Sequence, residues 1–254
     1  MSKAVRDGWI APARGAAALG LAAGISGLGL LSLLHHDFTL QWEPVPAGWP
    51  HRPLLALASG LMLLAAGAMT ALPRTRACGG LLAFGFIGLW ALGLQAPRAL
   101  AAPADVSRWL SVAECAAMAM GGLMLWSETG GGKAVAPAAG LAVRLFGLAA
   151  IVFGASHVAY AHFTASMVPD WLPARLALAY ATGAVHAATG LALLLRRWVR
   201  PAAALEAAMM SSFVLLVHVP RVAAAPSSRT EQTLLLVALT LAASAWIVAS
   251  ARRI

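Results

Sequence analysis

The amino-acid sequence predicts an all-α polytopic membrane protein, with about eight transmembrane helices in two parallel four-helix repeats. Of its 254 residues, 61% are hydrophobic and only 11% are charged, whereas an average soluble domain is about 25% charged. Apolar runs of about 20 residues, the length that crosses a hydrocarbon core as a helix, recur along the whole chain. Strand-type alternation is absent, so helices rather than a β-barrel are expected to satisfy the backbone.

The first apolar run, residues 15–34, follows a basic stretch and has that feature in common with a signal peptide. It is long for the apolar region of a signal peptide, and it ends in His35-His36-Asp37-Phe38 rather than in small residues. We therefore interpret it as a retained helix. The other predicted spans are 53–72, 78–96, 108–126, 141–161, 174–196, 200–219 and 231–250.

The formal net charge of +9 would suggest a nucleic-acid partner in a soluble chain. Here the basic residues form short clusters between apolar spans, a pattern that the positive-inside rule explains. With eight helices both termini lie on one side, and assigning that side to the cytoplasm puts twelve Lys and Arg residues inside and six outside. The sequence therefore predicts cytoplasmic N- and C-termini, a lipid bilayer around the chain and no nucleic acid.

Tryptophans support the predicted spans, because eight of the nine fall near a predicted helix end, where an amphipathic ring prefers the headgroup region. Trp42 is one of these eight. Trp90, within the third span, is the exception.

A shift of 123 residues superposes the two halves of the chain. The matched pairs include Arg52 with Arg175, Gly60 with Gly183, Gly67 with Gly190, and Pro97-Arg98 with Pro220-Arg221. We predict a first repeat over residues 15–126, a flexible linker over 127–140 that contains SETGGG, and a second repeat over 141–250. Four helices per repeat give both copies the same orientation, related by an axis along the membrane normal.

Polar residues within the spans are concentrated in the second half. At the 123-residue offset His186 corresponds to Leu63 and His218 to Gln95. His157 corresponds to Leu34, or to Ser32 if a two-residue gap aligns Phe38-Thr39 with Phe163-Thr164. Ionisable groups inside a membrane are expensive and usually face a protein interior or water.

These residues predict a ligand pocket near the outer face. His186 lies near the bilayer midplane on a face of small and polar residues, while His157 and His218 lie near the outer ends of their helices. The predicted ligand-binding residues are His157, Tyr160, His162, Trp171, Arg175, His186, His218 and Arg221. The alternatives are a neutral histidine that packs across a helix interface, for His186, and interfacial side chains that reach water, for the others.

The cofactor of such a pocket is unknown from the sequence. The chain has no HxxxH, Glu-x-x-His or CxxCH motif, and Cys78 and Cys115 lie far apart, so a haem, a metal or a catalytic dithiol fits poorly. A quinone, or another apolar ligand held between aromatic walls and polar anchors, fits better. No catalytic motif is present, which favours a non-enzymatic role.

Two carboxylates within the spans are predicted to form ion pairs. Glu114 is expected to pair with Arg98 or Arg108, and Glu206 with Arg200 at the inner side.

The second half contains GxxH…HFTASMVPDWLP, YATGAVHAATGLALL and LLVHVPRV, and on these segments it resembles the DoxX-like family of small bacterial membrane proteins. The resemblance covers most of residues 141–250 and, through the repeat, extends in weaker form over 15–126. It implies a four-helix membrane bundle in the bacterial inner membrane and an association with membrane redox complexes. The chain lacks the paired cysteines of relatives that handle disulfides, which argues against thiol exchange.

Together these observations predict a DoxX-like accessory or quinone-binding component of a membrane redox system, in contact with other redox subunits. A small-solute transporter is an alternative, although no helix has a Gly/Pro-interrupted midpoint. A structural subunit is a second alternative, with close helix contacts made by glycine-rich faces such as Gly79-Gly80, Gly85 and Gly88.

Overall fold

The computed structural model describes residues 3–129 and 135–252, with side chains from residue 14 onwards. Within this part of the chain every regular element is helical. Eight helices are long and apolar enough to cross a membrane. The predicted class, an all-α polytopic membrane protein, is confirmed.

The elements follow one another in the order α1 (Lys3–Leu34), α2 (Arg52–Ala71), α3 (Arg76–Leu89), α4 (Ala96–Leu100), α5 (Val106–Thr129), α6 (Val135–Ala159), α7 (Ala161–Met167), α8 (Arg175–Leu194), α9 (Val199–Phe213), α10 (Val219–Ala224) and α11 (Arg229–Ala249). One π-helical segment, Trp90–Gln95, joins α3 to α4, and a second, Val214–His218, joins α9 to α10. Each joined pair forms a single span. A short 3-10 turn, Leu40–Trp42, and α7 lie in connections on the side of the molecule opposite its termini, which we call the outer side.

The observed helices differ from the predicted spans mainly at four ends. The third span continues to Leu100 and the seventh to Ala224, because the proline in each lies in the first turn of a new α-helical stretch and does not end the span. Helices α5 and α6 extend into both ends of the predicted 127–140 linker, and residues 130–134 lie outside the described residues.

The two π-helical segments were not predicted, and the prolines explain them. Pro97 and Pro220 have no backbone N–H and would clash with the carbonyl four residues earlier, so the helix changes register before each of them. The N–H of Ala96 reaches the carbonyl of Ala91, and that of Val219 reaches Val214, both five residues back. Both segments lie beyond the middle of their spans, Arg76–Leu100 and Val199–Ala224, so they do not contradict the prediction that no helix has a Gly/Pro-interrupted midpoint.

The eight spans pack against their neighbours in sequence and through three contacts between the halves. Helix α1 packs against α2 and α11, while α5 packs against α3, α6 and α11. In the second half α6 packs against α8, and α9 packs against α11. The α1–α11 and α5–α6 contacts join the first half of the chain to the second over long interfaces.

Small residues bring the helices close together at these crossings. A Cβ atom on Gly29 would lie 2.7 Å from the carbonyl oxygen of Gly60, and one on Gly154 would lie 2.7 Å from that of Gly183. A Cβ atom on Gly80 would lie at the same distance, 2.7 Å, from the carbonyl oxygen of Gly122.

Of the glycines predicted to form close contacts, Gly79 and Gly80 do so inside the chain. Gly85 and Gly88 have no atom of the described residues within 4 Å of the position that a Cβ would take. The predicted glycine face is therefore divided between the protein interior and the outer surface of α3.

Candidate functional site

The hairpin of α8 and α9 brings His186 and Glu206 together inside the membrane-spanning region. His186 Nδ1 lies 2.6 Å from Glu206 Oε1, and the Thr189 hydroxyl lies 2.5 Å from Glu206 Oε2. The His186 side chain is 3% exposed and that of Glu206 is fully buried. Both carboxylate oxygens therefore have partners, which a carboxyl group buried at this depth requires.

A proton must lie between His186 and Glu206, because a carboxylate oxygen and an unprotonated ring nitrogen cannot hydrogen-bond to each other. If the proton stays on Nδ1, Glu206 fixes the ring orientation and leaves Nε2 as the second exchangeable site. The pair therefore holds a proton at a defined position, and it can take up a second one at Nε2.

His157, on α6, extends this arrangement toward the outer side. Its ring centroid lies 4.9 Å from that of His186 in an edge-on contact. Because the Thr182 hydroxyl donates to the carbonyl of Leu178 (2.8 Å), it is left to accept from His157 Nδ1, 3.0 Å away. His157 is half-buried, whereas His186 is buried, so the two imidazoles connect a partly accessible position to an enclosed one.

Aromatic rings surround the two histidines. Phe153 meets His186 edge-on at 5.7 Å, and Phe213 stacks on His157 at 6.1 Å. Phe213 directly precedes the second π-helical segment. We call His157, His186, Thr189 and Glu206, with Phe153 and Phe213, the histidine cluster.

Of the predicted site residues, the histidine cluster brings together His157 and His186, and a separate surface groove brings together His162 and Arg175. The outer residues serve separate contacts. Arg221 forms an ion pair with Glu231 at 2.6 Å, and Arg175 forms an exposed one with Asp170. Tyr160 reaches the start of α5, where its hydroxyl oxygen accepts from the Ser107 N–H at 3.2 Å.

The remaining predicted residues are also apart from the cluster. His162 and Arg175 line an open surface groove beside Ser166, and Trp171 is 70% exposed. His218, in the second π-helical segment, is half-buried, and its Nδ1 is buried with no hydrogen-bond partner among the described residues.

The two predicted carboxylate pairings are wrong. Glu206 pairs with His186 instead of Arg200, which donates to the carbonyl of Ala251. Glu114 accepts from the Trp42 indole at 2.7 Å, while Arg108 pairs with Asp105 and Arg98 donates to Gln95. In each case the carboxyl group bonds to a side chain from another helix or connection, His186 or Trp42, and not to the arginine that lies nearer in the sequence.

Glu206 is the member of the histidine cluster whose contact with His186 sequence reasoning missed, although a signal for it exists. In an antiparallel hairpin, residues at equal distances from the turn lie at equal depth. His186 is nine residues before Leu195 and Glu206 is eight residues after Trp198, the two ends of the α8–α9 turn. Counting residues outward from the turn along both helices would have predicted that His186 and Glu206 lie at the same depth.

The outer end of the first half is filled by the chain's own segment Thr39–Glu43. Trp42 is 2% exposed, so its ring is enclosed by protein in this connection. Gln95 Nε2 donates to the carbonyls of Gln41 and Trp42, at 2.5 and 3.0 Å. Glu43 Oε1 accepts from the Ser59 hydroxyl at 2.6 Å.

The pKa values of the two carboxyl groups in this connection, Asp37 and Glu43, are shifted in opposite directions. Burial raises the pKa of Glu43 to about 7, because the hydrogen bonds from Ser59 and Thr39 offset only part of the desolvation. Burial also acts on Asp37, but hydrogen bonds from the Phe38 N–H, Arg52 and Arg229 outweigh it and hold the pKa of Asp37 below its ordinary value.

The described residues contain no group of three histidine, cysteine, aspartate or glutamate side chains placed to hold a metal ion. Both cysteines are free, Cys78 exposed and Cys115 buried.

Comparison with known proteins gives no match: no family model, no curated protein and no solved structure is significantly similar to the chain.

Proposed function

We propose that this integral membrane protein is a DoxX-like, quinone-binding accessory component of a membrane redox system, with the histidine cluster as its polar centre. The observation that carries the proposal is the buried His186–Glu206 pair, extended by His157 and enclosed by aromatic rings. A quinone needs an apolar site with a few placed polar groups, and its redox chemistry needs a local source of protons.

The cluster supplies both requirements. Phe153 and Phe213 provide ring surfaces, and His186, once protonated at Nε2, provides a hydrogen bond to a carbonyl oxygen. Glu206 holds His186 so that a proton taken up at Nε2 leaves an imidazolium paired with a carboxylate, which brings the buried site from one negative charge to neutral overall. The role of this chain's residues is thus to bind a head group and to hold one exchangeable proton beside it.

The proposed repeat is supported by features that recur at the predicted spacing. His51 and Ala174, 123 residues apart, both adopt a left-handed backbone conformation directly before α2 and α8. The two π-helical segments are offset by about the same distance. These correspondences support a duplicated four-helix unit, and its place in a bacterial inner membrane is part of the proposal.

The proposal is tested by titrating purified protein with ubiquinone-1 in calorimetry, alongside mass spectrometry of its lipid extract. We expect the wild-type protein to carry or bind about one quinone per chain. His186→Ala should weaken binding at least about tenfold, because a head group loses a hydrogen bond in an apolar site. Glu206→Gln, which keeps the shape but removes the carboxylate, should weaken binding less.

The matched control is His35→Ala, an exposed histidine in the first outer connection, which should bind like the wild type. A protein that contains no quinone and does not bind ubiquinone-1 would rule the proposal out. Equal losses for His35→Ala and His186→Ala would show that the effect is not specific to the cluster.

A small-solute transporter is the second candidate, favoured by the paired π-helical segments. Interrupted helices at corresponding positions of two repeats are typical of transporter binding sites, and Trp90–Gln95 and Val214–His218 interrupt the third and seventh spans. Solute uptake into proteoliposomes that is lost in Glu206→Gln, together with an absence of quinone binding, would favour this function over the first.

A further inference from the structure

Three polar side chains hold the segment Thr39–Glu43 in the outer end of the first half. The Ser32 hydroxyl lies 3.2 Å from that of Thr39, and Ser59 donates to Glu43 at 2.6 Å. Gln95 donates to two backbone carbonyls of the segment, at 2.5 and 3.0 Å. The first half therefore closes its outer end with an indole ring and two adjacent carbonyl groups of its own.

The corresponding positions of the second half are also polar. At the 123-residue offset Ser59 corresponds to Thr182 and Gln95 to His218. With the two-residue gap, Ser32 corresponds to His157.

Helix packing supports that gapped alignment. Gly29 meets the carbonyl of Gly60 on α2 as Gly154 meets that of Gly183 on α8. Gly29 and Gly154 are 125 residues apart, whereas Gly60 and Gly183 are 123 apart. Thus α1 aligns with α6 only when the gap is included, and the same gap places His157 on Ser32.

The outer connections of the two halves take different paths. Phe38 is 4% exposed, whereas Phe163, its counterpart by the gapped alignment, is 67% exposed. Thr39 points into the first half, but Thr164 lies in α7 and its N–H bonds to the carbonyl of Tyr160. The connection that fills the first half thus forms a separate short helix in the second.

The three polar residues of the second half are left without such a segment. His157 and Thr182 hydrogen-bond to each other and are half-buried. The buried Nδ1 of His218 has no partner among the described residues, although Gln95 at the same position in the first half makes two bonds with its amide nitrogen. Buried polar atoms normally have partners, so His218 indicates a place for a hydrogen-bonding group from outside the chain.

We propose that the second half binds a planar, carbonyl-bearing ring in the position that Trp42 and its neighbouring carbonyls fill in the first half. His218 is the donor to this ring, and the hydrogen-bonded pair His157 and Thr182 lines the site. The inference rests on the proposed function and deepens it, because it assigns the head group to the outer end of the second half. The ring of Phe213, stacked on His157, supplies its apolar face. His218 donates to a ring carbonyl as Gln95 donates to the carbonyls of Gln41 and Trp42.

The test uses ubiquinone-1 as the probe with full-length purified protein. His218→Leu should weaken binding about tenfold through the loss of one hydrogen bond in an apolar site, and Thr182→Val by a smaller factor. His218→Gln introduces the first-half residue, keeps a donor and should stay within about threefold of wild type. The matched controls are Gln95→Leu and Ser59→Ala, the same positions of the first half, which should leave the affinity unchanged.

A second measurement on the wild-type protein does not depend on how the variants fold. In ¹⁵N-histidine NMR, ubiquinone-1 should shift the ring-nitrogen signals of His218, assigned by their loss in His218→Gln. If ubiquinone-1 binds and His186→Ala weakens it, but the His218 signals do not move and His218→Leu binds normally, this inference is overturned while the proposed function stands. If the wild-type protein binds no quinone, both fail.

Discussion

At the scale of single residues, the His186–Glu206 pair is the least expected feature of an otherwise apolar hairpin. Removing two ionisable groups from water is unfavourable, and an apolar pair of similar volume would often be more stable. In a membrane such residues are functional by default. Stability alone therefore does not explain why the pair is present.

The energetic coupling of this pair can be measured in a double-mutant cycle. We expect His186→Leu and Glu206→Leu each to destabilise the protein by about 3 kcal/mol, because each leaves a buried polar partner without its hydrogen bond. The double variant should cost clearly less than the sum of the two. Unfolding in mixed micelles of a mild detergent and sodium dodecyl sulfate gives the free energies. Additive losses would mean that the 2.6 Å contact contributes no coupling.

Glu43 predicts a pH-dependent stability of the first outer connection. Its pKa is about 7 in the folded protein against an ordinary 4.5, so between these two pH values the folded state keeps a proton that the opened state releases. The closed segment should lose stability as pH rises from about 4.5 to 7, by roughly 3 kcal/mol in total, and then level off. Below pH 4.5 both states are protonated and the effect is absent.

Hydrogen exchange at the Thr39 amide, which donates to Glu43 at 3.2 Å, measures this opening after correction for the intrinsic rate. Glu43→Gln, which cannot titrate, should remove the slope over the same pH range. A slope that persists in Glu43→Gln would assign the dependence to another group, and a stability that rises with pH would contradict the argument.

At the scale of helices, the length and composition of apolar runs were sufficient to locate all eight spans, because each must cross the same hydrocarbon thickness. They could not show the π-helical segments, since a proline in a helical pattern predicts an end or a kink without saying which backbone register replaces it. Pro97 and Pro220 marked the positions. The structure shows that the replacement is π-helical, because the N–H groups of Ala96 and Val219 bond to carbonyls five residues back.

Close helix crossings give a prediction with a control inside the same chain. A Cβ on Gly190 would lie 2.6 Å from the carbonyl oxygen of Gly147, so Gly190→Ala must push α6 and α8 apart. We expect a loss of about 2 kcal/mol or more, typical of overpacking at a tight contact. Gly85→Ala, on the open face of α3, should be neutral or should stabilise by up to about 1 kcal/mol through helix propensity.

Thermal melting in detergent compares the two glycine variants directly. Equal effects at Gly190 and Gly85 would show that the α6–α8 crossing is looser than the structure has it. A strong loss at Gly85 alone would instead point to an outside partner on α3.

At the scale of the whole molecule, the sequence predicted the number and order of helices and failed on the contacts between them. His157 and His186 were both recognised, because a histidine in an apolar run stands out in any window. The contact between His186 and Glu206 was not recognised. The two residues are 20 apart in the chain, and their contact depends on the register of the α8–α9 hairpin. The predicted outer pocket divided into several sites for the same reason, since Arg221, Arg175 and Tyr160 each have partners specified by other helices.

The orientation of the whole molecule remains a prediction from charge, with twelve basic residues on the proposed inner side and six on the outer. Single cysteines in a Cys78→Ser background, where buried Cys115 should stay unreactive, test it. Gly48→Cys, in the first outer connection, adds a side chain that meets no described atom within 4 Å, and it should react with a membrane-impermeant maleimide on intact cells. Arg197→Cys, exposed in the α8–α9 turn, should react only after permeabilisation. The reverse pattern would place both termini outside and the half-buried end of the histidine cluster, His157, toward the cytoplasm.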